Sequence, residues 1–405
     1  EAETLVVVGG GPAGIFGAIR AKTVAPTLSV VVIEKGRLLS KVKISGGGRC
    51  NVTNGNYLDN SDLAYNYPRG NKELKGSFFR FHGPTDTMLW FTDRGVELKT
   101  EIDGRVFPVS DSSSTIINCL MSEAKKSGLD LQTGKTVTSV STLPGEKFSL
   151  KIEKRAIGYI ENIIADYILI ASGSSEQGYK LATRFGHSIV EPVPSLFTFR
   201  IDDAQMLELS GVTFPKVKVK MKPDASHKTF PNHEQVGPML VTHWGFSGPV
   251  ILRLSAWGAR ELSSSGYKGA LLVDFVPDLH IEDVKSLLTQ HKAKFAKQKA
   301  INSFPSELGL VKKLWRYILQ REEAVNTLLW ASASNKLLTS VASRLKSSSF
   351  RIVGKGIFKD EFVTAGGVPL TEVSMNTMES LVQPRLFFAG EVLNVDGVTG
   401  GFNFQ

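Results

Sequence analysis

A glycine-rich segment near the start of the chain has the residue types and the spacing of a nucleotide phosphate site. Gly9, Gly11 and Gly14 form the pattern G-x-G-x-x-G between an apolar run at 4–8 and a stretch with helical spacing at 15–22. Gly9 permits a tight turn, Gly11 lets the backbone approach a diphosphate, and Gly14 lets helix and strand pack closely. The segment therefore predicts strand, turn and helix, with a diphosphate at the helix N-terminus.

A carboxylate follows the next predicted strand, at 28–33. Glu34 lies twenty residues beyond Gly14, where an acid typically accepts hydrogen bonds from ribose hydroxyls. Because the same carboxylate would repel a 2′-phosphate, the predicted ligand is like adenosine diphosphate rather than NADP. The alternative interpretation is a glycine turn with an incidental surface acid.

A second glycine cluster follows at 46–48 and leads into Arg49, Cys50 and Asn51. Consecutive glycines expose backbone N–H groups, and an arginine beside them can neutralise a phosphate or steady a flavin ring. NAD enzymes do not need such a cluster, so it favours FAD over NAD as the cofactor. The alternative interpretation is a plain flexible loop. We interpret Cys50 as a structural or flavin-packing residue, since Cys119 offers no resolving thiol.

Two later predicted strands also end in residues suited to a cofactor. They are 167–171, which ends in Ala171 and is followed by Ser172 and Gly173, and 386–389, which is followed by Gly390 and Glu391. An acid after a core strand can hold a ribityl hydroxyl, and the glycines after Glu391 could place a helix N-terminus near the flavin.

These motifs together resemble the YhiN-type family of two-dinucleotide-binding-domain flavoproteins, which includes aminoacetone oxidases and a bile-acid-reducing enzyme of gut bacteria. The motifs that carry the resemblance are GGGPAG at 9–14, ISGGGRCNVTN at 44–54, GRVFP at 104–108, THWGFSGP at 242–249, TAGGV at 364–368, TMES at 377–380 and FFAGEVLNVDGVTGGFNFQ at 387–405. They span nearly the whole chain.

The motifs and the resemblance together predict a set of FAD-binding residues, and the resemblance places the backbone of Val137 at the adenine. The set is Gly9, Gly11, Pro12, Ala13, Gly14, Glu34, Lys35, Gly46, Gly47, Gly48, Arg49, Cys50, Asn51, Val137, Ala171, Ser172, Gly173, Gly390, Glu391, Thr399, Gly400, Gly401, Phe402 and Asn403. Two departures stand out. The family often has Asp where this chain has Asn394, and its last motif usually continues into a helix, so we expect that the chain is trimmed after Gln405.

The expected fold is α/β, with a discontinuous Rossmann-type FAD domain of the glutathione-reductase kind. Glycine motifs at both ends assign residues 1–190 and 356–405 to this domain and 191–355 to an insertion. The insertion is expected to be β-rich over 191–279 and to continue as a basic helical lobe over 280–346. We expect it to cover the flavin and to select the substrate.

The insertion contains one candidate catalytic residue. In the segment at 242–249, His243 could donate or accept a proton while Trp244 lines a pocket. The alternative is a structural histidine without a catalytic role.

Composition limits the class of protein. The chain has 405 residues, 42% of them apolar and 21% charged, which is typical of a globular protein with a sizeable core. With two cysteines and no apolar run of about 18 residues, we expect no disulfide scaffold, metal site or membrane span. These features predict a soluble protein of a reducing compartment, either the cytoplasm or an organelle interior.

Net charge is +9, and residues 280–360 hold 15 Lys and Arg against 6 Asp and Glu. We interpret most of this charge as the solvated faces of helices. An RNA-binding or tRNA-modifying flavoprotein is the alternative from another class. The chain lacks an aromatic stacking pattern for RNA, so we expect a small-molecule partner rather than nucleic acid.

The expected activity is that of an FAD-dependent oxidoreductase, transferring hydride between a small organic substrate and flavin. The chain has no second complete G-x-G-x-x-G and hence no dedicated nicotinamide domain. This favours an amine- or alcohol-type oxidase that passes electrons to O2. A reductase of unsaturated or carbonyl substrates, with NAD(P)H as a transient donor, is the alternative.

Overall fold

The computed structural model describes residues 2–57, 59–76, 78–224, 230–322, 326–356 and 363–405. The chain divides into two compact units. The terminal unit consists of residues 1–194 and 362–405, and the central unit of residues 195–361. The predicted insertion, 191–355, has its ends within a few residues of these boundaries.

The strands run through both units and differ widely in length. In chain order they are β1 Thr4–Val8, β2 Ser29–Glu34, β3 Thr53–Asn54, β4 Leu98–Thr100, β5 Arg105–Pro108, β6 Asp130–Thr133, β7 Thr136–Leu143, β8 Lys147–Lys154, β9 Tyr159–Ala165, β10 Tyr167–Ile170, β11 Val190–Ser195, β12 Phe199–Ile201, β13 Thr213–Pro223, β14 Glu234–Val241, β15 Gly245–Ser247, β16 Gly269–Asp274, β17 Ser348–Lys355, β18 Val363–Gly367 and β19 Leu386–Phe388.

The α-helices are mostly short, and short 3-10 turns accompany them. In chain order they are α1 Pro12–Val24, α2 Ser40–Ile44, α3 Asn60–Ala64, α4 Asn71–Leu74, α5 Phe78–Phe81, α6 Pro84–Thr92, α7 Ser113–Lys126, α8 Glu176–Arg184, α9 Ala204–Leu207, α10 Pro249–Trp257, α11 Ala259–Ser264, α12 Ile281–Lys294, α13 Lys312–Arg321 and α14 Asn335–Lys346.

A parallel sheet in the order β19-β10-β1-β2-β6 forms the centre of the terminal unit. Side chains alternate across it: Val6 and Val8 pack into one core, whereas Leu5 and Val7 pack into another on the opposite face. Because both faces are covered, β1 has an uninterrupted apolar sequence. This is the Rossmann-type architecture that the sequence predicted.

Two antiparallel sheets complete the terminal unit beside the parallel one. They are β7-β8-β9 and β3-β5-β4, and β11 also pairs with β18. Strand β19, which comes after the whole central unit in the chain, pairs with β10 from the N-terminal part. The terminal unit is therefore discontinuous in sequence.

The central unit is a closed barrel of six strands in the order β12-β15-β14-β13-β16-β17. Strand β13 shows the two-residue alternation of a barrel wall, with Val217, Val219 and Met221 inside and lysines outside. Helices α12, α13 and α14 share the apolar core of the barrel. The region predicted to be β-rich also contains α10 and α11, which the sequence analysis did not foresee.

Candidate functional site

The candidate site lies at the carboxyl edge of the parallel sheet of the terminal unit. Strand β1 leads into Gly9, β2 ends in Glu34, β10 is followed by Ala171, and β19 by Gly390 one residue on. Carboxyl ends of parallel strands meet at one edge, which is where nucleotides bind in open α/β sheets. The edge thus gathers residues from both ends of the chain.

The turn after β1 requires glycine at two of its three motif positions. Gly9 has φ +112°, and a Cβ on it would lie 2.3 Å from the carbonyl oxygen of Ala171. A Cβ on Gly14 would lie 1.9 Å from the carbonyl oxygen of Gly9. Gly11 differs, because a Cβ there would meet no atom within 4 Å. The turn is close-packed inside and open at Gly11, as a cradle for a diphosphate requires.

Glu34 closes this turn from the adjacent strand. Its Oε2 accepts a hydrogen bond from the Gly10 N–H at 2.8 Å, and its Oε1 accepts one from the Gly36 N–H at 2.6 Å. Both contacts hold the carboxylate beside the glycine turn.

A cleft opens beside Glu34 in the terminal unit. Its lining comes from the ends of β1 and β2, the start of β7 and the start of α8 and consists of Val8, Gly9, Ile33, Glu34, Lys35, Lys135, Thr136, Val137, Ser172, Ser175, Gln177 and Gly178. Five of these residues belong to the predicted FAD-binding set: Gly9, Glu34, Lys35, Val137 and Ser172. Gln177 also lines the cleft but was not predicted from the sequence, because it does not follow directly on a strand. Its Nε2 donates a hydrogen bond to the Val137 carbonyl oxygen at 2.9 Å.

A buried polar atom without a hydrogen-bond partner can indicate where a ligand binds, and the lining of this cleft contains one. Among the described residues, the hydroxyl of Ser172 is buried and has no hydrogen-bond partner. The same holds for the Tyr179 hydroxyl and the Asn394 Oδ1. A buried hydroxyl in the lining, the open position at Gly11 and the carboxylate of Glu34 are the groups that a ribose diphosphate would use. The residues present fit the adenosine diphosphate half of FAD.

Glu391 is a half-buried residue next to Gly390. A Cβ on Gly390 would lie 2.7 Å from the Cβ of Ala13, so the residue packs against the first turn of α1. Glu391 Oε1 accepts a hydrogen bond from the Thr364 N–H at 2.7 Å. Burial raises the pKa of Glu391 to about 7, and the charge of Asp396 adds to the rise, while the Thr364 contact opposes it. The acid predicted to hold a ribityl hydroxyl is therefore partly protonated near neutral pH.

The second glycine cluster forms a left-handed run. Gly46, Gly47 and Gly48 have φ values of +56°, +68° and +84°, which favour glycine over residues with side chains. Cys50 follows with its side chain fully buried, and burial raises the pKa of its thiol to about 11. Such a thiol remains protonated, in agreement with a structural role. Asn51 Oδ1 accepts a hydrogen bond from the Val106 N–H at 3.2 Å.

Arg49 has protein partners for its charge. Its guanidinium lies 2.7 Å from Glu101 Oε1 and 3.4 Å from Asp111 Oδ1, and 3.8 Å from the ring centre of Phe107. The sequence analysis considered phosphate or the flavin ring as its partner and did not anticipate these acids. Its role toward the cofactor stays a prediction.

The segment after Glu391 forms a turn that packs on β3. Asn403 closes it, since its Oδ1 accepts from the Gly397 N–H and its Nδ2 donates to the Gly397 carbonyl oxygen, both at 2.8 Å. A Cβ on Gly401 would lie 2.4 Å from the Thr53 carbonyl oxygen, and Asn54 Nδ2 donates to the Gly400 carbonyl oxygen at 3.1 Å. Of the other residues predicted here, Phe402 is buried and Thr399 is partly exposed.

Sequence reasoning missed a buried Ser-His-Glu arrangement in the terminal unit. His187 Nδ1 lies 2.7 Å from Glu372 Oε2, and His187 Nε2 lies 2.6 Å from Ser380 Oγ. Ser380 Oγ also accepts from two backbone N–H groups, of Val382 and Gln383, and the residue is 6% exposed. A buried hydroxyl whose lone pairs are taken cannot act as a nucleophile, so the arrangement fastens the 372–383 segment to the end of α8.

His243 lies in the central unit, on the turn between β14 and β15, with an exposed side chain. The turn is held by Thr242, whose Oγ1 accepts from the Trp244 and Gly245 N–H groups at 3.4 and 3.1 Å. Catalysis by His243 stays a prediction.

The described part of the chain has neither a metal-binding cluster nor a membrane-spanning helix. It contains no cluster of three or more His, Cys, Asp and Glu side chains placed to hold a metal ion. It also contains no helix with the length and apolar character needed to cross a membrane.

Comparisons with known proteins give a family match over almost the entire chain. The model of the family described as HI0933-like protein Rossmann domain matches residues 3–405. A 3-dehydro-bile acid delta(4,6)-reductase of Clostridium scindens is 26% identical, with 98% of this chain and 95% of the relative covered. A ribosomal RNA dihydrouridine synthase of Haemophilus influenzae is 27% identical, with 99% and 94% covered.

Among solved structures, the chain is similar to a 3-ketosteroid delta1-dehydrogenase from Sterolibacterium denitrificans. The TM-score is 0.48 at 12% identity, with 100% of this chain and 98% of that chain covered. A flavocytochrome c3 fumarate reductase in its open conformation gives a TM-score of 0.47 at 16% identity, with 99% and 74% covered.

Proposed function

Because the chain belongs to the HI0933-like Rossmann family and is an FAD-dependent oxidoreductase, we propose that it reduces a carbon–carbon double bond conjugated to a carbonyl group. The observation that carries this reaction class is the chemistry shared by the names of two relatives. A 3-dehydro-bile acid delta(4,6)-reductase and a dihydrouridine synthase each saturate a double bond in conjugation with a carbonyl. The net reaction adds one hydride and one proton, and NAD(P)H is the proposed source of the hydride.

Residues of the terminal unit would hold the cofactor. Backbone N–H groups at the start of α1 would face the diphosphate across the open position at Gly11, and Glu34 would accept from the ribose hydroxyls. Val137, in the lining of the same cleft, would meet the adenine. FAD, when bound, supplies a carrier of two electrons between donor and substrate.

The protonation state of Glu391 would determine which hydrogen bond it makes to the cofactor. A carboxyl whose pKa is about 7 is present in both protonation states near neutral pH. In its protonated form it would donate a hydrogen bond to a ribityl hydroxyl, and in its ionised form it would accept one. The proposed function thus makes the hold on the ribityl chain dependent on pH.

Two kinds of substrate share this chemistry. The first is a small unsaturated carbonyl compound. The second is the uracil ring of RNA, which is favoured by the name of the Haemophilus influenzae relative and by a 26% identical relative of the same name from Escherichia coli. The amine-type oxidase predicted from the sequence has no such support and serves as the contrasting reaction in the test.

The test follows the flavin absorbance of the purified protein under anaerobic conditions. We expect NADH or NADPH to bleach the flavin, and a 3-oxo-4,6-diene steroid, a simple enone or a uridine-containing RNA to restore its colour. Bleaching by a primary amine, with no response to either nicotinamide nucleotide, would favour the oxidase and contradict the proposal.

A further inference from the structure

The positive charge of the protein belongs to one of its two units. Residues 1–194 and 362–405 hold 24 Lys and Arg and 24 Asp and Glu, whereas residues 195–361 hold 24 and 15. The terminal unit is therefore neutral, and the whole net charge of +9 lies in the central unit. Charge segregated in this way produces a positive potential that attracts anionic partners.

Helix α13 concentrates this charge on its outer side. Its buried side consists of apolar and aromatic residues such as Leu314, Trp315 and Ile318. All of its exposed side chains are basic or neutral, namely Lys312, Lys313, Arg316, Gln320 and Arg321. Residues three and four apart lie on the same side of a helix, so Arg316 lies beside both lysines. We call these five residues the α13 cationic face.

The basic side chains at the start of this face have no acidic partners. Within the described part of the chain, no carboxylate lies within 4.0 Å of Lys312, Lys313 or Arg316. The lysines on the outside of β13 differ, since Lys216 pairs with Asp278 and both Lys218 and Lys220 pair with Glu234. Among the described residues, the charge of Lys312, Lys313 and Arg316 is thus uncompensated, while that of β13 is largely balanced.

The placement of the two lysines is unfavourable for the helix itself. Lys312 and Lys313 occupy the first turn of α13, where the helix dipole favours acidic side chains. Helix α12 of the same unit follows the usual rule, with Glu282 and Asp283 in its first turn. The lysines therefore add to the positive end of the helix dipole at the start of α13, and both would attract an anion there.

The outward chemistry of α13 distinguishes between two polyanions. A helix that lies on a membrane turns large apolar residues toward the lipid. On α13 the aromatic residues are buried, with Trp315 0% and Tyr317 4% exposed. A face with cations and no outward aromatic residues suits the phosphates of a nucleic acid, whose binding is dominated by such contacts.

We propose that the α13 cationic face binds the phosphate backbone of RNA. The choice of RNA over DNA rests on the uracil substrate of the proposed function. The face would hold an RNA substrate by contacts independent of base sequence and would leave selection of the base to the site where reduction takes place.

Fluorescence anisotropy with a labelled RNA hairpin and the complete FAD-loaded protein tests this proposal. The variant K312Q/K313Q/R316Q removes three cations from the face. The matched control K216Q/K218Q/K220Q removes the same charge from β13. With a salt dependence of about 0.7 per phosphate contact, the α13 variant should bind about 100-fold more weakly near 0.1 M salt, and its salt slope should be about 2 less steep. The control should stay within about threefold of the unchanged protein.

Three results would overturn the proposal. They are equal losses in the two variants, an α13 variant that binds like the unchanged protein, and tighter binding to phosphatidylserine vesicles than to the hairpin. Reduction of a small enone by the variants provides a separate readout, since both should retain it. An unchanged protein that binds RNA as expected but reduces no enone or uridine would contradict the proposed reaction and leave the RNA face supported.

Discussion

At the scale of single residues, Glu391 is a carboxyl group whose protonation near neutral pH changes on folding. Its pKa rises from an ordinary 4.5 to about 7 because of burial. As the pH rises from about 4.5 through 7, the unfolded chain releases this proton while the folded chain keeps it. The free energy of unfolding therefore decreases across this window, and the full penalty is present above it.

We predict that Glu391→Gln removes this pH dependence. The amide oxygen can still accept from the Thr364 N–H, but the side chain no longer titrates. Without FAD, the variant should match the unchanged protein near pH 5 and be more stable by about 2 kcal/mol near pH 8. Thermal unfolding across this range measures the difference. The exposed Glu97→Gln serves as control, and a variant that is less stable at both pH values would contradict the assignment.

At the scale of elements, the turn between β1 and α1 contains one glycine that folding requires and another that ligand binding would require. A Cβ at Gly14 would collide with backbone, whereas a Cβ at Gly11 would enter open space. The backbone of Gly11, at φ −78° and ψ −175°, is also ordinary for any residue. The two glycines of one motif therefore have different physical reasons to be glycine.

We predict opposite effects for alanine at these two positions. Gly14→Ala should destabilise the FAD-free protein by at least about 3 kcal/mol, because the turn must shift. Gly11→Ala should leave its unfolding temperature unchanged or slightly raised and weaken FAD binding at least about tenfold, because the methyl group occupies the approach of the diphosphate. Chemical denaturation and FAD titration distinguish the two effects. A Gly11→Ala protein with unaltered FAD affinity would show that the diphosphate lies elsewhere.

The elements that the sequence predicted correctly depend on local patterns. The strands predicted at 4–8 and 28–33 follow from apolar runs, and the turn after the first strand follows from backbone positions that only glycine fits. The structure has β1 at Thr4–Val8 and β2 at Ser29–Glu34. Helix α10 was missed because a short apolar run such as PVILRLSAW is compatible with a buried strand or a helix.

Long-range partners were beyond the reach of the sequence. His187 meets Ser380 across 193 positions, and Arg49 meets Glu101 across 52. Pairing of this kind depends on the topology of the folded chain and cannot be predicted from the composition or the hydrophobic periodicity of the sequence. Local patterns therefore indicate the backbone parts of the candidate site, whereas they do not indicate the partners of its charged side chains.

At the scale of the whole molecule, the predicted FAD contacts at the sheet edge lie in the terminal unit, while the barrel core lies in the central unit. A ligand stabilises only the structure whose unfolding releases it. FAD at about 100 times its Kd should add about 2.7 kcal/mol to the terminal unit. In hydrogen exchange, the amides of β1, β10 and β19 should slow by about two orders of magnitude, and those of β13 and β16 should not change. Equal protection of both sets of strands would contradict separate cooperative units.

The pairing of β19 with β10 has a consequence for folding during synthesis on the ribosome. More than two hundred residues are translated between Ile170 and Leu386, which takes roughly 10–40 s at about 5–20 residues per second. During that interval a nascent chain exposes one edge of β10 without its final neighbour β19, and all six strands of the barrel, from β12 to β17, are synthesised before β19. Flavin binding that uses Gly390 and Glu391, which follow β19, would then occur late in synthesis. Until β19 pairs with it, β10 presents an unpaired edge to which ribosome-associated chaperones could bind.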